Sequence, residues 1–466
     1  MQRRNFLKGS AAAGAGLMLP LGTASHTAGA SMTGDAAVPP WLAGNWAPTQ
    51  VESTAFKLKV EGSIPPELNG RYLRVGPNPA SGTSAHAFLG DGMVHGVKLF
   101  GGEVSWYRNR FVKTPHFAEP EANYLKNSGP LEYSLANTHV VGHAGRVFAL
   151  EELHLPYELD EELDTVGTYD FEGKLAGSMT AHPKICPETG EMLFFGYALK
   201  PPFLTYHRVS RDGALVQSEP ITTKAATMMH DFNITRNHVI FMDLPALWGG
   251  GMNGGLPVNW SDEYGARLGV MPRNGSDKDI RWFEIEPCYV FHPMNAYETG
   301  DEIIIDVCRA DHKFKAGAPK APSLLHRWAI NLRTGKVTET PLDDQSVGFP
   351  RVADARVGLP YRYGYTLEAD DNVALVASRY LKFDLQTGRS QAIDLNGRLG
   401  GEPVFAPADS AGAEDDGYLL AFVQNPANDI SEFVILDASQ PNGDFIARVE
   451  LPVRVPFGFH GSWISD

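Results

Sequence analysis

An all-β fold built of hairpins, with a propeller as the favoured arrangement, is predicted by three observations on this sequence. Strand-length apolar runs follow one another with few helical stretches, the turns between them repeat one chemistry, and four histidines far apart in sequence share one kind of setting. The runs HVIFMDLP (238–245), DEIIIDVCR (301–309), NVALVAS (372–378), YLLAFVQ (418–424) and EFVILDA (432–438) are bounded by Asp, Asn, Gly or Pro, as strands are. Periodicity alone leaves a pair of β-sandwiches or a barrel open.

The first segment stands apart from this pattern. Arg3 and Arg4 in QRRNFLKGS, the weakly apolar AAAGAGLMLPLGTA (11–24) and the small residues Ala28, Gly29 and Ala30 read as a twin-arginine (Tat) export signal over residues 1–30. Residues 31–466 are then one mature domain, expected in the periplasm, since no later run reaches membrane-span length. A single domain of this size is compatible with a large all-β fold. Acidic residues outnumber basic ones 55 to 40, giving a net charge of -15 that repels phosphate backbones, so nucleic acid is not an expected partner.

The turns come next. CPETGEM (186–192), VSRDGAL (209–215), YETGDE (297–302), INLRTGK (330–336) and FDLQTGR (383–389) each place a glycine where a hairpin needs positive φ. With 48 Gly and 33 Pro along the chain, many such turns are expected. The segment DLPALWGGGMNGGLPV (243–258) reads as a mobile, greasy loop at a tunnel mouth. Trp248 is its candidate pocket residue, and the loop is suited to touching a membrane surface; a glycine-rich surface turn is the equal alternative. Cys186, Cys288 and Cys308 are too few for a disulfide framework; Cys288 and Cys308 either pair across a hairpin or stay as buried thiols.

His182 in TAHPK, His230 in MMHDF, His292 in VFHPM and His460 in FGFHGSW sit at strand-like edges among apolar or small residues. Any one alone reads as a satisfied core histidine. Together they make a candidate metal site, and their separations of 48, 62 and 168 residues mean that no local motif gathers them. A closed ring of sheets can, because each inner strand ends at a common axis. Pro183 and Pro293 hold the histidines before them in extended backbone.

NGRYLRVGPNP (69–79), HAFLGDGMVHGVKL (86–99), ANTHVVGHAGRVFALEE (136–152), ARLGVMPRNG (266–275), RWAINLRTGKV (327–337), PYRYGYT (360–366), GEPVFAP (401–407) and GFHGSW (458–463) occur in this order. Over nearly all of the mature chain this text resembles the carotenoid cleavage oxygenase family, which includes carotenoid-, apocarotenoid- and lignostilbene-cleaving enzymes. The resemblance implies a seven-bladed β-propeller with a dome of loops and helix over an axial Fe(II), held by His182, His230, His292 and His460. Neutral imidazoles suit Fe(II), and four of them without a carboxylate leave open positions for O2.

The resemblance also implies glutamates that orient the ligand rings. Glu152 matches the support of His230 and Glu402 that of His460, but Gly348 stands where a glutamate is expected behind His292, with Asp343 and Asp344 the nearest carboxylates in sequence. Stilbene-cleaving members resemble one another in a lysine just before the first glutamate and a tyrosine that engage a phenol. Here those positions read as Glu151 and Phe111, which lowers the expectation of a phenolic substrate. The implied activity is oxidative cleavage of a C=C bond in a carotenoid or apocarotenoid, with a stilbenoid as runner-up. A polyene isomerase or hydrolase of the same fold and a periplasmic binding propeller are the competing classes.

Overall fold

The computed structural model describes residues 38–120, 129–253, 256–319, 321–369, 376–408, 412–440 and 443–466, with side chains left out at 250–253. The export signal and part of the NVALVAS run lie outside these residues. Residues 39–466 form one compact unit.

Three four-stranded antiparallel sheets follow one another along the chain. They are His139–His143 to Thr165–Thr168, Lys184–Ile185 to Leu215–Ile221, and Asn233–Ile234 to Arg281–Ile285. The next two share a strand. Val337–Arg351 is 15 residues long and pairs early with Leu324–Asn331 and late with Tyr363–Glu368, joining two four-stranded blades into one seven-stranded sheet. The last two blades take strands from both ends of the chain. Val60–Gly62 adds to the outer edge of the sheet containing Phe445–Glu450, and Gly461–Ser465 is the innermost strand beside Gly70–Pro77. Seven blades therefore form the propeller that was expected, and the interlocked chain ends close it.

The turn reading holds in detail. All five turn glycines have left-handed φ, between 60° at Gly300 and 88° at Gly213, where a Cβ would be strained. Neighbouring blades pack through apolar faces: Tyr72 of the closing blade meets Phe422 edge-on at 4.9 Å, and both are buried. Each such side chain stabilises the ring by about 2 kcal/mol through burial. Cys186, Cys288 and Cys308 are buried free thiols, so the alternative of a Cys288–Cys308 bridge is not realised.

Helix is scarce: among the described residues the one α-helix is the single turn Pro115–Ala118, capped by Thr114 Oγ1, which accepts from Phe117 N at 3.2 Å. One expectation is corrected. The glycine-rich segment is a hairpin, Ala246–Asn253 on Leu256–Trp260, because Trp248 and Val258 pair across it; the side chain of Met252 lies outside the described set. No helix among the described residues is long and apolar enough to cross a membrane.

Candidate metal centre

Inner strands deliver the four histidines to the axis. His182 lies two residues before Lys184–Ile185, His230 three before Asn233–Ile234, His460 one before Gly461–Ser465, and His292 inside Tyr289–Thr299. At His292 the ladder breaks, with register shifts on either side of Pro293, which has no N–H to give. That break lets the ring leave the alternation of its strand. The backbone of His460 is pinned on both sides, its N–H donating to Thr138 O at 3.1 Å and its carbonyl accepting from Val75 N at 3.2 Å.

One ring nitrogen from each of the four converges, all within 4.8 Å of one another. His182 and His230 approach through Nε2 at 3.0 Å, and His230 and His292 through Nε2 at 3.1 Å. The opposite edges explain why those nitrogens carry lone pairs. Nδ1 of His460 donates to Glu402 Oε1 at 3.0 Å, which keeps the proton of that ring on its outer nitrogen, and Glu152 contacts Nδ1 of His230 in the same position. Burial, followed by the neighbouring imidazoles, holds His182 and His292 well below the usual histidine range, that is, in the neutral form a metal needs. Several facing lone pairs in one buried spot fit a shared divalent cation and little else.

Glu402 is itself fixed. Its Oε2 accepts from Gly461 N at 3.0 Å, and Arg351 stands 3.9 Å from Oε1. Burial would raise this carboxyl, but Arg351 and His460 outweigh it and bring it down to about 2. His182 has an acid that sequence reading missed: Asp231, paired with Lys184 at 2.7 Å, lies 3.9 Å from its Nδ1. Its only signal was adjacency to His230. Behind His292, Gly348 offers no side chain, and Asp343 does not replace it, being engaged by Gln345 N at 2.8 Å and by Ser390. Among the described residues no carboxylate comes within ion-pair reach of His292. A fifth imidazole, His139, packs 5.3 Å from the His460 ring but donates Nδ1–H to Ala181 O at 2.8 Å; burial lowers it to about 3.

Two cavities meet at this cluster, and His292 and His460 line both. One, of about 820 Å³, is polar, with Lys184, Asp231, Arg351 and Glu402 on its walls. The other, of about 340 Å³, is apolar, walled by Phe88, Leu135, Trp248, Phe291, Phe314 and Phe459. Of the expected pocket residues, Trp248 and Glu151 line the apolar cavity. Phe111 does not: it is buried against Phe117 at 5.1 Å. Glu151 takes contacts from His154 Nδ1 and from Leu153 N at 3.2 Å, both on Oε2. Burial raises its carboxyl, and His154 with these N–H groups outweighs it, so it stays below the usual range.

A propeller whose inner strands focus four imidazoles between a polar and an apolar cavity is a metalloenzyme architecture. Residues 46–465 match the family model described as retinal pigment epithelial membrane protein, RPE65, and residues 1–20 match the twin-arginine translocation signal. The chain is 40% identical to the carotenoid cleavage oxygenase of Mycobacterium tuberculosis, over 91% of this chain and 97% of that one. It is 36% identical to carotenoid 9,10(9',10')-cleavage dioxygenase 1 of Pisum sativum, over 91% and 90%. The crystal structure of Pseudomonas brassicacearum lignostilbene dioxygenase superposes with a TM-score of 0.84 at 30% identity, over 92% and 99%. The protein belongs to the RPE65/carotenoid cleavage oxygenase family. It is an oxidoreductase of the dioxygenase type.

Proposed function

We propose that the protein is a non-haem Fe(II) dioxygenase that splits a C=C bond of a carotenoid or apocarotenoid with O2 into two carbonyl products. The observation that carries this reading is the opening of the four-imidazole cluster onto an apolar cavity of about 340 Å³. Fe(II), when bound, supplies a redox-active ion with positions open to O2, since four neutral nitrogens leave its charge uncompensated. Everything else falls to the chain. His182, His230, His292 and His460 hold the ion, and Glu152 and Glu402 keep the protons of His230 and His460 on Nδ1. Phe291, Phe314 and Phe459 hold a conjugated chain flat beside the ligands and keep water from it. No acid or base is needed, because the electrons come from the cleaved bond and both oxygen atoms end in carbonyls.

Glu151 sets the polar end of this pocket. Both of its described hydrogen bonds fall on Oε2, so Oε1 keeps acceptor capacity for a neutral hydroxyl on the substrate and repels a phenolate. Trp248 forms the opposite kind of wall, an indole face suited to a polyene. The family's stilbenoid substrates are the second reading, favoured by the similarity to the lignostilbene dioxygenase. The twin-arginine match supports export to the periplasm, where an apolar substrate would be drawn from a membrane surface.

The deciding experiment incubates iron-loaded protein under O2 with carotenes, apocarotenoids and hydroxystilbenes and identifies aldehydes by mass. Two aldehydes from an apocarotenoid, absent under argon, are expected. O2-independent conversion would point to an isomerase or hydrolase, and a wild-type protein without about one iron per chain to a binding propeller. His230→Ala is expected to lose the iron.

A further inference from the structure

We propose that Tyr197 is a positioning residue for the metal, the outer member of a chain of contacts from Tyr197 through Glu152 to His230. The inference rests on the ligand set above. Three successive blades supply the members. Tyr197 ends the strand Met192–Tyr197, Glu152 follows Arg146–Leu150 two residues on, and His230 precedes Asn233–Ile234. The Tyr197 hydroxyl donates to Glu152 Oε2, while Glu152 Oε1 contacts His230 Nδ1.

Glu402 shows what this geometry does. Its Oε1 holds His460, and its Oε2 is fixed by the N–H of Gly461. Each supporting carboxylate therefore spends one oxygen on a ligand and needs a donor on the other to set its plane. At Glu402 that donor is backbone; at Glu152 it is the Tyr197 hydroxyl, its sole described donor on Oε2. A carboxylate free to rotate would release the His230 ring as well.

The difference between the two donors matters, because a side chain can move where a backbone amide in a closing strand cannot. Tyr197 is buried and stacks on Trp248 with ring centroids 6.0 Å apart and planes at 30°. Both rings line the apolar cavity together with Glu152 and His230. The hold on His230 is thus tied to the wall that a substrate touches.

Tyr197→Phe keeps the ring and its stacking and removes only the hydroxyl. Tyr289→Phe is the matched control: Tyr289 is also buried, but its hydroxyl donates to the backbone, at Met228 O and 3.0 Å, where that of Tyr197 donates to Glu152. The rate of iron release to a chelator is measured for wild type and both variants, with the absorption bands of the cobalt-substituted proteins as a spectroscopic check. Tyr197→Phe is expected to release iron about 10-fold faster and to shift the cobalt bands, with Tyr289→Phe unchanged. Release at the wild-type rate, or equal acceleration in both variants, overturns the relay. A wild type that holds no metal overturns the ligand set on which it rests.

Discussion

His292 differs from the other three clustered histidines in what stands behind its ring. His230 has Glu152, His460 has Glu402 and His182 has Asp231 at 3.9 Å, whereas His292 lies between Phe349, at 5.2 Å, and Phe291, at 6.1 Å. The gap was legible in the sequence as Gly348. What fills it was not, because the aromatic ring that covers His292 comes from the next residue, whose φ of 50° no sequence pattern announces. The four clustered histidines were readable because each carries an apolar setting that solvated histidines lack. Tyr197, Asp231 and Arg351 were not, since one hydroxyl, one acid and one guanidinium among many acquire meaning only when blades meet. Gly348 lies in the extended strand Val337–Arg351, lacks left-handed φ and lines the apolar cavity, so its backbone accepts a side chain. Gly348→Glu is expected to bring a carboxylate to His292 and slow iron release by about 10-fold. Chelator exchange measures this, and an unchanged rate would mean that the new carboxylate does not reach the ring.

Strands and their turns were the most legible elements, because a glycine at a positive-φ position and an apolar run are local facts. The long strand Val337–Arg351 and the hairpin at 246–260 were not legible, since sharing one strand between two sheets, or pairing a glycine-rich run with itself, depends on partners. The closing strand shows the same dependence at the site. Gly461–Ser465 pairs with Gly70–Arg74, and just before it the two chains come so close that a Cβ on Gly76 would meet Gly458 Cα at 2.6 Å. His460 is two residues from that contact. Gly76→Ala is expected to push the strands apart, destabilising the fold by about 1–3 kcal/mol as overpacked sites do. The same displacement moves His460 off the axis. Thermal denaturation and metal analysis of one preparation check both effects, and a variant that melts lower but keeps full metal would separate closure from ligand placement.

Across the whole molecule, the ring buries histidines outside the four-imidazole cluster, and they give it a pH dependence of its own. His95 meets Tyr107 Oη at 2.8 Å, His143 meets Gly190 O at 3.0 Å and His207 meets Ser218 Oγ at 2.9 Å. Burial lowers all three, His207 to about 4, and Arg74 adds to it at His95. In the unfolded chain each would titrate near 6.5. Between about pH 4 and 6.5 the unfolded chain therefore binds protons that the folded one refuses, so stability rises with pH in that window. The slope approaches about 1.4 kcal/mol per pH unit for each fully shifted histidine. Glu402, at about 2 when folded, adds the same sign below its ordinary value near 4.5. The net charge of -15 acts the other way, since protonating surface carboxylates relieves their repulsion. Exposed carboxylates titrate mainly near pH 4. Asp231, Asp243 and Asp354, raised by burial, also act the other way, but in the metal-free chain His139, His182 and His292 are lowered as well, so the six lowered histidines outweigh three acids and decide the sign in the upper part of the window. The melting temperature of the metal-free full chain is expected to climb from about pH 5 to 6.5 and to level off above about 7. A profile flat or falling across pH 5 to 6.5 would show that these buried rings enter the folded state already protonated.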